Sequence, residues 1–248
     1  MRFNKSDTMN KPSISTIIII ICMLIIGLYA AGEVNYFSSK IAVERNIETP
    51  AIVIPSIGVN EKINNVSLNQ GVLLDPGQNI PTKDPIVLYG HRTLQGSPFL
   101  RLNELSKGDT LLLEWPGIGE INYTVTNTSI VPATYSAANF VGDKTMYLIT
   151  CDPIGSTANR LIIEGEFENQ DSINNEILKD NPQESYAYII SGAFLIIGLI
   201  FGYLYPKENR IYILATVIII SAILFYFCMN PIPSEIIYEK IIFLNGGL

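Results

Sequence analysis

The hydrophobic positions of this chain fall into two textures. Three long stretches are almost purely apolar and carry no charge: Pro12 to Gly32, Ser185 to Pro206, and Ile211 to Ser234. Each is long enough for a helix to cross about 30 Å of hydrocarbon. They predict three transmembrane helices, with a cleaved signal peptide as the alternative for the first, where Ala30, Ala31 and Gly32 supply small residues. Between the first and second stretch the pattern changes. From Ala51 onward, short β-branched runs alternate with Gly, Pro, Asn and Asp. The predicted strands are AIVIPSI, the stretch around Lys62 to Val66, GVLL, PIVLYG, TLLLEW, INYTVTNTSIV, TMYLIT and RLIIEGEF. In INYTVT the apolar Ile121, Tyr123 and Val125 alternate with Asn122, Thr124 and Thr126, the signature of a half-buried strand. SPFLRLNEL places Phe99, Leu102 and Leu105 at helical spacing and predicts a short helix or helical turn, closed by Lys107-Gly108-Asp109.

About eight short strands with few helices predict a mainly β domain, a small closed or nearly closed barrel that leaves no exposed edge. The expected order is a cytoplasmic N-terminus and first transmembrane helix over 1–32, then a helical or flexible stalk over 33–50. The extracellular barrel follows over 51–168, and a polar linker over 169–185. The second membrane helix spans 186–205, a cytoplasmic loop 206–210, the third helix 211–229, and an extracellular tail 230–248.

Charge orients this arrangement. Arg2, Lys5 and Lys11 precede the first helix, and Lys207 and Arg210 lie in the short loop between the other two. Both basic clusters fall on one side if the first helix crosses outward, which puts the central domain outside. Residues 33–184 hold 10 Lys and Arg against 19 Asp and Glu, a formal charge of −9. That argues against nucleic acid and against electrostatic docking on anionic lipid.

The chain has one histidine, His91, and three cysteines, of which Cys22 and Cys228 lie in the apolar stretches. Cys151 follows the apolar run Met146 to Ile149 at a strand end, and Arg160 opens the next run, LIIEGEF. If those two strands are antiparallel neighbours, Cys151 and Arg160 emerge at the same rim, and His91 likewise ends PIVLYG. A thiol needs a nearby cation to become a thiolate, an imidazole can move the proton, and a guanidinium can hold a developing oxyanion. The pattern therefore points to covalent catalysis by Cys151, against the alternative of a small buried cysteine and an incidental histidine. No Cys/His cluster supports zinc, and no Gly-rich phosphate loop is present. Glu104, Asp109, Glu114 and Glu120 could include calcium ligands, although their spacing matches no calcium loop, and no cofactor is expected. Trp115 is expected to pack at a strand end.

In combination these fragments resemble a known family. Leu148-Ile149-Thr150-Cys151 followed by Arg160-Leu161-Ile162-Ile163 resembles the sortase signature, Thr-Leu-x-Thr-Cys and then an Arg on the next strand. GVLLDPGQNIP with IVLYGHR resembles the segment leading to the sortase histidine, and PFLRLNELSKGDTLLLEW the turn that follows it. The resemblance covers Ala51 to Phe167, with Tyr147 standing where the family usually has Thr. It implies an eight-stranded sortase-type barrel and a cysteine transpeptidase that cleaves a Leu-Pro-x-Thr-Gly-like sorting signal through a thioacyl-enzyme. An amine of the cell wall or of a pilin subunit would then resolve that intermediate, so the implied partners are surface proteins bearing the signal and the amine acceptor. Carried over by position, Cys151 is the nucleophile, His91 the general acid/base, Arg160 the oxyanion or substrate stabiliser, and Thr150 a substrate-contacting neighbour. Two trailing membrane helices are not the usual layout of the family, and Asp75-Pro76-Gly77 reads as a barrel turn rather than as a lid. Two other readings compete. A peptidoglycan cross-linking cysteine transpeptidase usually carries Gly before its cysteine, where this chain has Thr150; a membrane-tethered, non-enzymatic β-domain would bind a surface partner through an unreactive Cys151.

Overall fold

The computed structural model describes residues 11–43, 49–77, 80–93, 96–135, 140–174, 183, 185–232 and 236–237. Arg2 and Lys5, the stalk residues Glu44, Arg45 and Glu48, Leu94 and residues 136–139 lie outside them. So do most of the expected linker and most of the tail.

Eight strands close into a barrel. They are β1 (Ala51–Ile54), β2 (Val59–Asn64), β3 (Val72–Leu74), β4 (Ile86–Tyr89), β5 (Thr110–Trp115), β6 (Gly119–Pro132), β7 (Thr145–Asp152) and β8 (Asn159–Asp171). Round the barrel the order is β1-β2-β3-β4-β7-β8-β6-β5, with β5 pairing back to β1. The β2–β3 and β4–β7 pairs are parallel and the rest antiparallel. Closure pairs every edge.

Alternation along each strand sends one set of side chains inward. Ile52, Leu88, Leu113, Tyr123, Leu148 and Ile163 belong to the interior cluster and are almost fully buried. Phe99, Leu102 and Leu105 plug it from a chain of turns that ends in a 3-10 turn, Leu102–Glu104, where a helix or helical turn is expected. Trp115 is half-buried at the end of β5, against the same cluster.

Where strands begin and end differs from the sequence reading for local chemical reasons. β1 stops at Ile54 because Pro55 has no N–H to continue the ladder, and a 3-10 turn, Pro55–Ile57, takes over. β2 starts earlier than expected, after Gly58 turns the chain at φ 69°, and it ends at Asn64. The Asn64 side-chain oxygen accepts from the N–H groups of Val66 and Ser67, which bends those residues out of the strand. β8 continues to Asp171, opposite Glu120, so the first residues of the expected linker belong to the barrel.

Three helices are long and apolar enough to cross a membrane: α1 (Ile14–Val43), α2 (Tyr186–Leu204) and α3 (Arg210–Met229). α1 continues well past Gly32, so the first part of the expected stalk is helix. The three pack as a bundle by close approach over small residues. A Cβ on Gly198 of α2 would stand 2.6 Å from Val217 of α3, and one on Gly27 of α1 2.8 Å from Ile220. At one end of the bundle Thr16 Oγ1 lies 3.0 Å from Tyr205 Oη, and the Ser13 N–H donates to Asn209 Oδ1 at 3.4 Å. At the other end the rings of Phe37 and Tyr186 meet edge to face at 5.3 Å.

Candidate active site

The site is built where three adjacent strands end. In the parallel pair β4–β7, Tyr89 lies opposite Ile149. Beyond the last pair, the Gly90 N–H donates to Ile149 O at 3.1 Å, and Thr150 Oγ1 donates to Gly90 O at 2.8 Å. These bonds hold the two chains in step, so His91 and Cys151 occupy equivalent positions on neighbouring strands, which run about 4.8 Å apart. On the other side Cys151 lies opposite Arg160 in the antiparallel β7–β8 pair. The three residues singled out by sequence therefore stand in a row across one rim.

They also share a face. Met146 and Leu148 point into the barrel core, and Thr150 follows their parity and is buried. Tyr147 and Ile149 point outward, and Cys151 continues that set. On β4 the outward residues are Val87 and Tyr89, with His91 next; on β8 they include Ile162 and Arg160. An outward apolar stripe of Val87, Tyr147, Ile149 and Ile162, walled by Tyr89, Val131 and Phe140, thus leads up to the thiol. The ring of Phe140 packs on that of Tyr147 at 4.6 Å.

Each side chain is held differently. Burial pushes the His91 imidazole below its ordinary value of 6.5, which favours the neutral ring at pH 7. Its Nε2 is buried with no hydrogen-bond partner among the described residues. Cys151 is half-buried and free of any disulfide. The Arg160 guanidinium donates through Nη1 to the carbonyls of Thr157 and Asn159, both at 3.0 Å, so it is steadied by its own loop. The Thr150 hydroxyl is committed to Gly90 O, and the residue is 3 % exposed. Tyr89 donates to Asp75 at 3.2 Å; burial, with the Asp75 charge and this bond, pushes the phenol up to about 12.

One residue was overlooked by the sequence reading. Arg92, 5 % exposed, donates to Leu100 O at 3.3 Å, to Cys151 O at 3.3 Å, to Asp152 Oδ1 at 2.6 Å and to Asn103 Oδ1 at 2.6 Å. It ties the segment carrying His91 to the strand end carrying the thiol. The available signal was the pairing of Arg beside the histidine with Asp beside the cysteine, in GHR and TCD.

The carboxylates weighed for calcium lie apart from this rim. Glu104 pairs with Arg101, and Asp109 accepts from the Ser106 N–H. Glu114 and Glu120 face each other across β5–β6. Glu114 is fully buried and accepts from the Asn174 N–H at 3.2 Å. Burial first, then the hydrogen bond and charge of Glu120, push its carboxyl up to about 7. Among the described residues no group of three or more His, Cys, Asp or Glu is placed to hold a metal ion.

A family described as "Sortase domain" matches residues 47–168, nearly all of the barrel. Sortase C-1 from Actinomyces oris is 30 % identical over 49 % of this chain and 74 % of its own, with a TM-score of 0.44. Sortase A from Listeria monocytogenes is 25 % identical over 54 % of this chain and 95 % of its own, with a TM-score of 0.47. A lid mutant of sortase A from Corynebacterium diphtheriae is 22 % identical over 50 % and 71 %, with a TM-score of 0.45. No curated protein matches.

Proposed function

The chain belongs to the sortase family, and from that premise we propose that its barrel is a cysteine transpeptidase in which Cys151, His91 and Arg160 carry the chemistry. The observation that supports this reading most is their alignment across three neighbouring strand ends, on the outer face where the apolar stripe arrives. A peptide lying across that rim brings its scissile carbonyl to the thiol. A signal of the Leu-Pro-x-Thr-Gly kind is the substrate that membership of the family supports.

The steps follow from the groups present. Neutral His91 takes the thiol proton as the Cys151 sulfur attacks the scissile carbonyl carbon. The carbonyl oxygen becomes an oxyanion, and Arg160 supplies positive charge to it. Collapse breaks the C–N bond, and the imidazolium gives its proton to the departing amine. This leaves a thioester on Cys151. An incoming amine attacks that thioester and loses a proton to His91; the sulfur departs and is reprotonated. Thr150 contributes by tying β7 to Gly90, which keeps nucleophile and base in step.

The placement in the cell is part of the same proposal. Ser13 and Asn209 meet at one end of the bundle, so Lys11 and the Lys207–Arg210 loop lie at the same end. That end is cytoplasmic by the positive-inside rule, which makes the chain a multi-pass membrane protein with its barrel outside. Acceptors would be an amine of the cell wall or of a pilin subunit.

The test is an amine-dependence assay on the full chain. Fluorescent Leu-Pro-x-Thr-Gly peptides are incubated with and without a panel of amines, and products are resolved by chromatography. Ligated product is expected from the wild type, none from Cys151→Ala, and about 10²- to 10⁴-fold less from His91→Ala. Equal product from wild type and Cys151→Ala would overturn the assignment.

A further inference from the structure

Two glutamates away from the catalytic rim meet face to face. Glu114 on β5 pairs with Glu120 on β6, and Glu120 in turn with Asp171 on β8. Leu111, Leu113 and Ile121 line the interior, so the opposite parity puts this row on the outer surface of the barrel. An outer carboxylate is ordinarily wet, yet Glu114 is 0 % exposed. The chain that leaves β8 reaches it there, where the Asn174 N–H donates to Glu114 Oε2 at 3.2 Å.

The end of β8 and the residues after it, 169–174, form a strap over the β5–β6 hairpin. Gln170 Nε2 donates to Ile118 O at 2.8 Å, and Asn122 Nδ2 donates to Asn169 Oδ1 and Asp171 Oδ2. Gly119, at φ 123°, leaves it room: a Cβ there would stand 2.2 Å from Asp171 O. The next helix in the chain is α2, so the strap begins the connection between the barrel and the second membrane helix.

Ionised carboxylates only accept hydrogen bonds. Glu114 Oε1 and Glu120 Oε2 are both buried, and neither has a donor among the described residues. The two carboxyls nevertheless stand within hydrogen-bond reach of each other. One added proton turns two orphaned acceptors into a donor and an acceptor, and leaves one negative charge facing the Asn174 N–H. The surrounding charges do not replace that proton. Asp171, one strand beyond Glu120, is itself acidic. β1 offers Ala51, and Lys62 on β2 lies beyond it, two strands from Glu114 or about 10 Å at ~4.8 Å per strand. Burial first, then the hydrogen bond to Glu120, push the Glu114 carboxyl up to about 7.

We infer that Glu114 and Glu120 share one proton and form a proton-operated buckle, which fastens the strap leading from the barrel to the second membrane helix. Loss of the proton sets two buried like charges side by side, and the strap opens to let water reach them. The connection from barrel to α2 is then longer and looser. A carboxyl raised on folding contributes fully below its ordinary 4.5, and the contribution fades as pH rises to about 7. Over that window the closed strap holds one proton that the open strap gives up, so the opening constant rises about tenfold per pH unit. The buckle does not depend on the transpeptidase reading.

Hydrogen exchange of the Asn174 amide tests this, on the full chain in a bilayer mimic from about pH 5 to about pH 8, after correction for chemical exchange. Protection in the wild type should fall about tenfold per pH unit up to about pH 7 and then level off. Glu114→Gln and Glu120→Gln each supply an amide donor in place of the proton, so both should be flat across that range. Opening of the strap is local, so Asn174 should exchange faster than the core amide of Leu148 and respond less to low urea. A flat wild type overturns the buckle, as does an unchanged slope in both variants. Equal rates and equal urea dependence at Asn174 and Leu148 overturn it too, because the strap would then open only with the barrel. Infrared difference spectra read the proton itself. A protonated-carboxyl band should be present in the wild type at about pH 6, lost at about pH 8 and missing from either variant; a wild type without that band overturns the shared proton.

Discussion

Replacing Arg92 by Met removes a guanidinium that joins four acceptors: two carbonyl oxygens, the Asn103 amide and the Asp152 carboxylate. The methionine fills most of the volume, so the loss is chiefly polar. Removing one partner of a buried ion pair costs about 3–5 kcal/mol. The Asp152 side chain keeps 20 % of its surface in water against 4 % for Arg92, which eases the abandoned carboxylate and argues for the lower end. A loss of about 3 kcal/mol corresponds to roughly 150-fold in the folding equilibrium of the barrel. Native-state hydrogen exchange on the full chain in a bilayer mimic reads this directly, because the slowest barrel amides report global opening. Amides of β7 and β8 should exchange roughly 150-fold faster in Arg92→Met. Asp152→Asn keeps a hydrogen-bond acceptor for the guanidinium and should cost about half as much, and the double variant should cost less than the sum. Arg92→Lys restores charge without the fork and should recover only part. Alkylation of Cys151 should change as well, since the carbonyl of the nucleophile itself loses its anchor. Unchanged exchange in Arg92→Met, or strict additivity with Asp152→Asn, would refute the claim that this residue ties the two halves of the site together.

Other consequences are simpler to state. His91 has a folded value below its ordinary 6.5, so the unfolded chain gains the proton first as pH falls. Stability contributed by neutral His91 is present above pH 6.5 and is lost below it, and exchange in His91→Gln should depend less on pH in that window. Glu114 has the opposite sign: its carboxyl is raised from 4.5 to about 7, so its contribution is complete below pH 4.5 and fades as pH rises to about 7. Glu114→Gln should flatten that decline in barrel melting followed by circular dichroism; an identical decline in wild type and variant would contradict it. Gly90→Ala places a methyl 2.5 Å from the Phe99 ring and should displace the His91 segment. Its peptide turnover should fall far more than its helix content, and full turnover would show that the segment tolerates the shift.

Much of this molecule was legible in its residues, and the exceptions have physical causes. The number of strands and the three apolar helices followed from periodicity, because a half-buried strand must alternate and a spanning helix must be continuously apolar. The row of His91, Cys151 and Arg160 was legible as strand-end residues, yet only pairing could show that β4 and β7 run parallel, since partners such as Tyr89 and Ile149 lie far apart in sequence. The limits of β2 were hidden in a side chain, Asn64, that captures its neighbours' N–H groups. Arg92 was invisible as a site residue because a lone arginine on a sequence is usually solvated, and its four acceptors are split between two segments, Leu100 with Asn103 and Cys151 with Asp152.

The central claim is that Cys151 attacks a peptide carbonyl and holds the acyl group. Intact mass measured after brief mixing of the full chain with Leu-Pro-x-Thr-Gly peptides, without added amine, tests it most directly. The account predicts a mass increase equal to the acyl fragment in the wild type, removed by hydroxylamine and absent from Cys151→Ala. No adduct with any of these peptides, in a chain whose Cys151 alkylates no faster than free cysteine, would contradict it.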